Sequence, residues 1–260
     1  MRSLLAALLP LVAAAQVPVP ATPPGFVIAN GAADANAQLD MFVDLLCPYS
    51  KMAYPALKQV VHQLLPSQLR LRVHQFPLPY HHQAYSVAQA SETIAYALGP
   101  DSFEAWMDAV YAVQDSFGNK VTENDGQKLV TAQIKQLAQR TFPNLTDAQW
   151  DDGMAGGSDR DGDTRVAWKY ACSRGISGTP MFLLNDVAID ADPAWTTHDW
   201  LVFLKPYVDP KQSSLAAVSV SSSPAVTHGT WIVVAAVAIV VAVAVAARRR
   251  MRQMSYRQLA

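Results

Sequence analysis

With 260 residues, 51% of them apolar, the chain can bury one full core, and its formal net charge is only −1. Between residues 16 and 247 stand 14 basic and 21 acidic side chains, a balance of −7 that argues against nucleic acid as a partner.

Met1-Arg2, the apolar run Leu4–Val12 and the small residues Ala13, Ala14 and Ala15 read as a secretory signal peptide over 1–15. A Pro-rich leader follows over 16–25. At the far end, 211–229 is a Ser/Ala-rich flexible stalk, and 230–247 reads as a transmembrane helix. Its core, Trp231–Ala247, has 17 residues and no charge, about 25 Å of helix at ~1.5 Å per residue. The tail 248–260 carries Arg248, Arg249, Arg250, Arg252 and Arg257 and no acid, which puts it in the cytosol. The chain therefore reads as a single-pass type I membrane protein of the secretory pathway, in the endoplasmic reticulum or alternatively the plasma membrane, with a luminal N-terminal domain over 26–210. In that domain Asn144-Leu145-Thr146 is a glycosylation sequon.

Phe26–Ala29 is expected as a short strand and Leu39–Asp44 as a buried one. Pro48 to about Leu65 reads as a helix with Met52, Leu57, Val60, Val61 and Leu64 on its apolar side and a kink at Pro55. Leu69–Phe76 alternates apolar and polar residues as a half-buried strand does, which completes a βαβ unit. From Gln83 the period turns helical, giving an insertion over about 83–158. Its first helix carries Ala84, Val87, Ile94 and Leu98 on one face; Asp101 with Glu104 and Thr122 with Asp125 open the next two, and Thr146 with Gln149 a short fourth. Asp159-Arg-Asp-Gly-Asp163 looks like a calcium loop, but the Gly and Glu an EF-hand needs at its sixth and twelfth places are Thr164 and Tyr170. It reads instead as a solvated turn, with Asp163 capping a helix that ends at Gly175. Thr179-Pro180 introduces a strand, Met181–Leu184; Asn185-Asp186 turns it into Val187–Ile189, and a last helix is capped near Thr197.

The chemistry gathers at Cys47-Pro48-Tyr49-Ser50. Cys47 stands where a strand hands over to a helix whose first turn begins with proline. Unpaired N–H groups and the helix dipole there favour a thiolate over a thiol. Two cysteines in an oxidising compartment ordinarily form one structural disulfide, so Cys172 is the internal partner to weigh. A Cys47–Cys172 bond needs Cα atoms within roughly 7 Å. A buried, inert Cys172 is the expectation. His81 and His82, without a third ligand at usable spacing, read as solvated residues at a helix start, and no metal is expected.

In this order, the strand, the C-x-x-(C) loop, the kinking Pro55, the helical insertion and Gly178-Thr179-Pro180 resemble the thioredoxin superfamily, in its DsbA-like branch with an inserted helical domain. Phe76-Pro-Leu with His81, His82 and Ala84 resembles the start of that insertion. The resemblance covers about Phe26–Val208 and implies an α/β, thioredoxin-like fold, to which the C-terminal transmembrane helix is added. It also implies a cis bond at Thr179–Pro180 beside Cys47, with the Thr179 backbone free to pair with an extended substrate strand. Ser50 is the departure: it can hydrogen-bond a Cys47 thiolate but cannot resolve a mixed disulfide.

The expected function is thus a membrane-anchored monothiol disulfide oxidoreductase or isomerase. Cys47 is its nucleophile, Pro48, Tyr49 and Ser50 complete the loop, and Thr179 and Pro180 form the substrate groove. Cysteine-containing luminal clients or glutathione would complete the turnover, glutathione as a co-substrate and no other cofactor being expected. The alternative is a redox-inactive client-binding domain of chaperone or adaptor type. Glutathione conjugation of the kappa-transferase type shares the architecture but puts serine first in the loop, where this chain has Cys47.

Overall fold

The computed structural model describes residue 20 and residues 22–209; the signal peptide, stalk, transmembrane segment and tail read from the sequence lie outside the described residues. Packing divides the chain after Phe203, and everything below belongs to the first unit except the end of the last helix. Among the described residues no helix is long and apolar enough to cross a membrane.

Five strands, β1 (Phe26–Ile28), β2 (Ala37–Val43), β3 (Leu69–Gln75), β4 (Met181–Leu184) and β5 (Val187–Ile189), form one sheet in the order β1-β3-β2-β4-β5. β2 and β3 run parallel, Ala37 opposite Leu69 through Val43 opposite Gln75; the other pairs are antiparallel. β2 is central and covered on both faces, so Leu39, Met41, Phe42 and Val43 are all buried without alternation. β3 keeps its period only as far as Val73: Leu69, Leu71 and Val73 are buried while Arg70 and Arg72 reach the surface, but His74 and Gln75 are both buried, His74 stacked on Phe42 and Tyr170. The β4–β5 hairpin turns on Asn185 and Asp186, both at positive φ (49° and 66°), the two-residue turn these residue types favour.

The crossover from β2 to β3 is α1 (Pro48–Gln63), with Pro55 inside it. Its buried stripe is Ser50, Ala53, Tyr54, Leu57, Val60 and Val61, at spacings of three and four. Met52 is off that stripe, five residues from Leu57 and hence far round the helix, and is 53% exposed rather than on the apolar side. The insertion consists of α2 (Ala84–Leu98), α3 (Ser102–Ala112), α4 (Gln127–Thr141) and α5 (Asp147–Met154), with a 3₁₀ turn at Gln114–Phe117. Only one of the three expected capping boxes forms, that of Thr146 with Gln149. Asp101 has helical backbone angles and caps nothing, while Thr122 is buried against the Gly118 carbonyl and α4 starts at Gln127.

The expected solvated turn at 159–163 is instead the first turn of α6 (Asp159–Ser173), capped by Ser158, whose hydroxyl accepts from the Asp161 N–H. Asp161 is buried and saturated: Tyr85 O–H, the Gly157 N–H and Arg165 all donate to its carboxylate. An acid in a first helical turn, so supplied with donors, needs no metal. Groups of three or more metal-ligating side chains are absent among the described residues. The chain ends its described course in α7 (Thr197–Val208), where Thr196, one residue ahead of the expected cap, exchanges bonds with Asp199.

Candidate active site

The site is built on the tight turn that ends β2. Asp44 is 1% exposed there, and its backbone carbonyl accepts from the Cys47 N–H at 3.0 Å. Its carboxylate takes the Leu46 N–H (2.8 Å) on one oxygen and, on the other, the Leu78 N–H (3.0 Å) and His81 Nδ1 (2.6 Å). A buried carboxylate so partnered ties the turn to the start of the insertion. From the 3₁₀ turn, Gln114 Nε2 donates to the carbonyls of Leu45 (2.8 Å) and Cys47 (3.1 Å). The helical insertion thus holds the turn into Cys47 at two points, the segment leading into α2 and the 3₁₀ turn after α3.

Cys47 emerges as the N-cap of α1 with extended backbone angles (φ −79°, ψ 122°) and Pro48 behind it, and no acid occupies the first turn. Thr179–Pro180 is a cis peptide bond, as the resemblance implies. The Cys47 thiol donates to the Thr179 carbonyl at 3.3 Å, so the two segments meet across 132 positions of sequence. Cys47 belongs to a buried apolar cluster with Phe42, Phe76, Leu78, Ala171, Ile176 and Leu183, against which Tyr49, half-buried, packs with Tyr170 and Met181. Pro48 faces solvent. Burial raises the Tyr111 and Tyr80 phenols above their usual range, and the Asp44 carboxylate pushes both the same way.

Four expectations need correction. Ser50 does not hydrogen-bond Cys47: it lies on the inward stripe of α1 with Ala53, Tyr54 and Leu57, and its hydroxyl is buried with no partner. Cys172 is exposed, not buried, and both cysteines are free. Ala171 packs in the cluster around Cys47, and one residue on, about 100° round the helix, Cys172 faces away. The Thr179 carbonyl is not free, because the thiol occupies it. His81 is not a solvated histidine but is bound to Asp44, while His82 is exposed, its backbone N–H held by Asn119. Asn144 lies exposed between α4 and α5.

Asp44, His81 and Gln114 were missed in the sequence. One signal was there for Asp44: an acid ending the apolar run Met41–Val43 is costly unless donors surround it. For Gln114 there was none.

The profile of the DSBA-like thioredoxin domain matches residues 38–202. Solved structures agree in fold. A provisionally assigned protein-disulfide isomerase from Pseudomonas syringae superposes with a TM-score of 0.59 at 18% identity, over 69% of this chain and 97% of that one. DsbA2 from Pseudomonas aeruginosa gives 0.53 at 22% identity, over 73% and 97%. Wolbachia pipientis alpha-DsbA2, a thiol-disulfide exchange protein, gives 0.51 at 12%, over 70% and 86%. No curated protein sequence is similar to the chain.

Proposed function

Because the chain belongs to the DSBA-like thioredoxin family, we propose that it exchanges disulfides through Cys47 alone, beside the Thr179-Pro180 groove. The observation that carries this is the 3.3 Å contact of the Cys47 sulfur with the Thr179 carbonyl at a helix N-terminus. Loss of the thiol proton removes the donor that holds that carbonyl. The thiolate is then the nucleophile, and the carbonyl becomes an acceptor for the backbone N–H of an extended client. Cys47 attacks one sulfur of a client disulfide; a Cys47–client disulfide forms, and the second client sulfur leaves as a thiolate. A different thiol, from the client or from glutathione, then attacks the mixed disulfide and restores Cys47. Asp44 holds His81 through Nδ1; the proton that Cys47 gives up passes to the other ring nitrogen, Nε2, and from there to the departing client thiolate.

The sequence pattern supports placing this domain on the luminal side of a secretory-pathway membrane, held by Trp231–Ala247, with Asn144 glycosylated. The test is trapping in cells. Client mixed disulfides should disappear in Cys47→Ala and persist in Cys172→Ala; if Cys47→Ala leaves them in place, the assignment fails. One observation favours a second reading, a redox-inactive client-binding domain: Cys47 is only 4% exposed. Under that reading Cys47→Ala captures the same clients non-covalently as the wild type.

A further inference from the structure

A cavity of about 510 Å³ opens beside β2 and β3, lined by Leu39, Asp40, Arg70, Arg72, Tyr170 and Arg174 among others. Its residues on β2 precede Cys47 along the strand. Asp40 to Val43 alone is about 10 Å of strand at ~3.3 Å per residue, so the cavity is separate from the thiol site.

Charge sets this cavity apart. Three arginines line it against two aspartates, Asp40 and Asp186. Asp186 is committed to Arg174. Asp40 is held by His74 Nε2 at 2.6 Å, and because burial lowers the His74 pKa the carboxylate keeps its charge and offsets one arginine, leaving the cavity an excess of one positive charge. Arg70 and Arg72 stand two residues apart on one face of β3 and form no ion pair among the described residues; the Nε of Arg70 is buried with no partner at all. Burial and the neighbouring Arg72 both lower the Arg70 pKa, Asp40 opposing them only in part. A guanidinium does not escape such crowding by losing its proton. No acid elsewhere in the chain can relieve it either, because all 21 acidic side chains fall within 22–209.

We propose that this cavity binds a small organic oxyanion, a phosphate ester or a carboxylate, gripped by Arg70, Arg72 and Arg174 with its apolar part against the Tyr170 ring. The planar forks of arginine suit the oxygens of either group. The volume is that of a small-molecule site. Arg174 already lies over the Tyr170 ring, 5.7 Å from its centroid, so the cationic and the aromatic walls adjoin.

The test is calorimetric titration of the full chain with phenyl phosphate, benzoate and inorganic phosphate. Saturable binding of phenyl phosphate or benzoate is expected, at least tenfold weaker in Arg72→Gln and in Arg174→Gln and unchanged in Cys47→Ala. The tighter of the two probes names the oxyanion, and inorganic phosphate, lacking the ring, should bind more weakly than phenyl phosphate. Should a glutamine variant not fold, Arg72→Lys keeps the charge, loses the fork and should weaken binding severalfold. Absence of saturable binding by both organic probes overturns the proposal. So does binding that the arginine variants retain, as the arginines of the tail would give.

Discussion

The Cys47 sulfur has two states with different partners. As a thiol it donates to the Thr179 carbonyl inside an apolar cluster. As a thiolate it has nothing to donate, and the helix N-terminus at its back is its favourable neighbour. Exchange therefore begins with a proton leaving the nearly buried Cys47. Ser50 takes no part in this switch. Its hydroxyl is fully buried and unpartnered, so Ser50→Ala removes a polar group without breaking a bond. That variant should unfold within about 0.5 kcal/mol of the wild type or be more stable, and it should react with disulfides at an unchanged rate. A slower rate would mean that Ser50 does reach the sulfur in the reactive state.

Among the elements, the insertion acts on the loop rather than merely covering the sheet. Gln114 reaches from its 3₁₀ turn to two loop carbonyls, and Gln114→Ala removes both bonds, the Cys47 carbonyl alone keeping a second donor in the Lys51 N–H. The expected cost is about 1–2 kcal/mol, read from the denaturant midpoint, together with faster alkylation of Cys47 as the loop loosens. The packing of α2 on α6 brings a pH dependence. On α2, partly buried Glu92 has its pKa raised to about 7, first by burial and then by Asp163, with Arg160 opposing. Its folded pKa thus exceeds the unfolded value, so the native state binds the extra proton and loses stability as pH rises from about 4.5 to 7. Glu92→Gln should therefore raise the melting temperature by a few degrees at pH 8 and change it little at pH 4. The opposite ordering would place Glu92 in a stabilising ion pair.

Across the whole molecule, features set by a few adjacent residues could be read from the chain. The strand–cysteine–proline junction, the alternation of Leu69–Val73, the Asn185-Asp186 turn and the Thr179-Pro180 segment each carry a local signature, and each stands where it was expected. What escaped depends on partners far apart in the chain. Asp44 meets His81 37 positions away, and Gln114 meets Cys47 67 positions away. Arg70 and Arg72 looked like the ordinary wet face of a strand until Arg174 arrived from α6. The orientation of Cys172 was equally hidden, because which side of α6 faces the core is decided by packing around Ala171.

That the two cysteines diverge makes the single-thiol chemistry testable in one vessel. The full chain, reduced and then mixed with glutathione disulfide, is analysed by intact mass and by mapping of the modified cysteine. A glutathione adduct on Cys47 that accumulates, survives Cys172→Ala, and is released only by added thiol is the expected result. An adduct that never forms on Cys47, or that gives way to a Cys47–Cys172 disulfide, would contradict it.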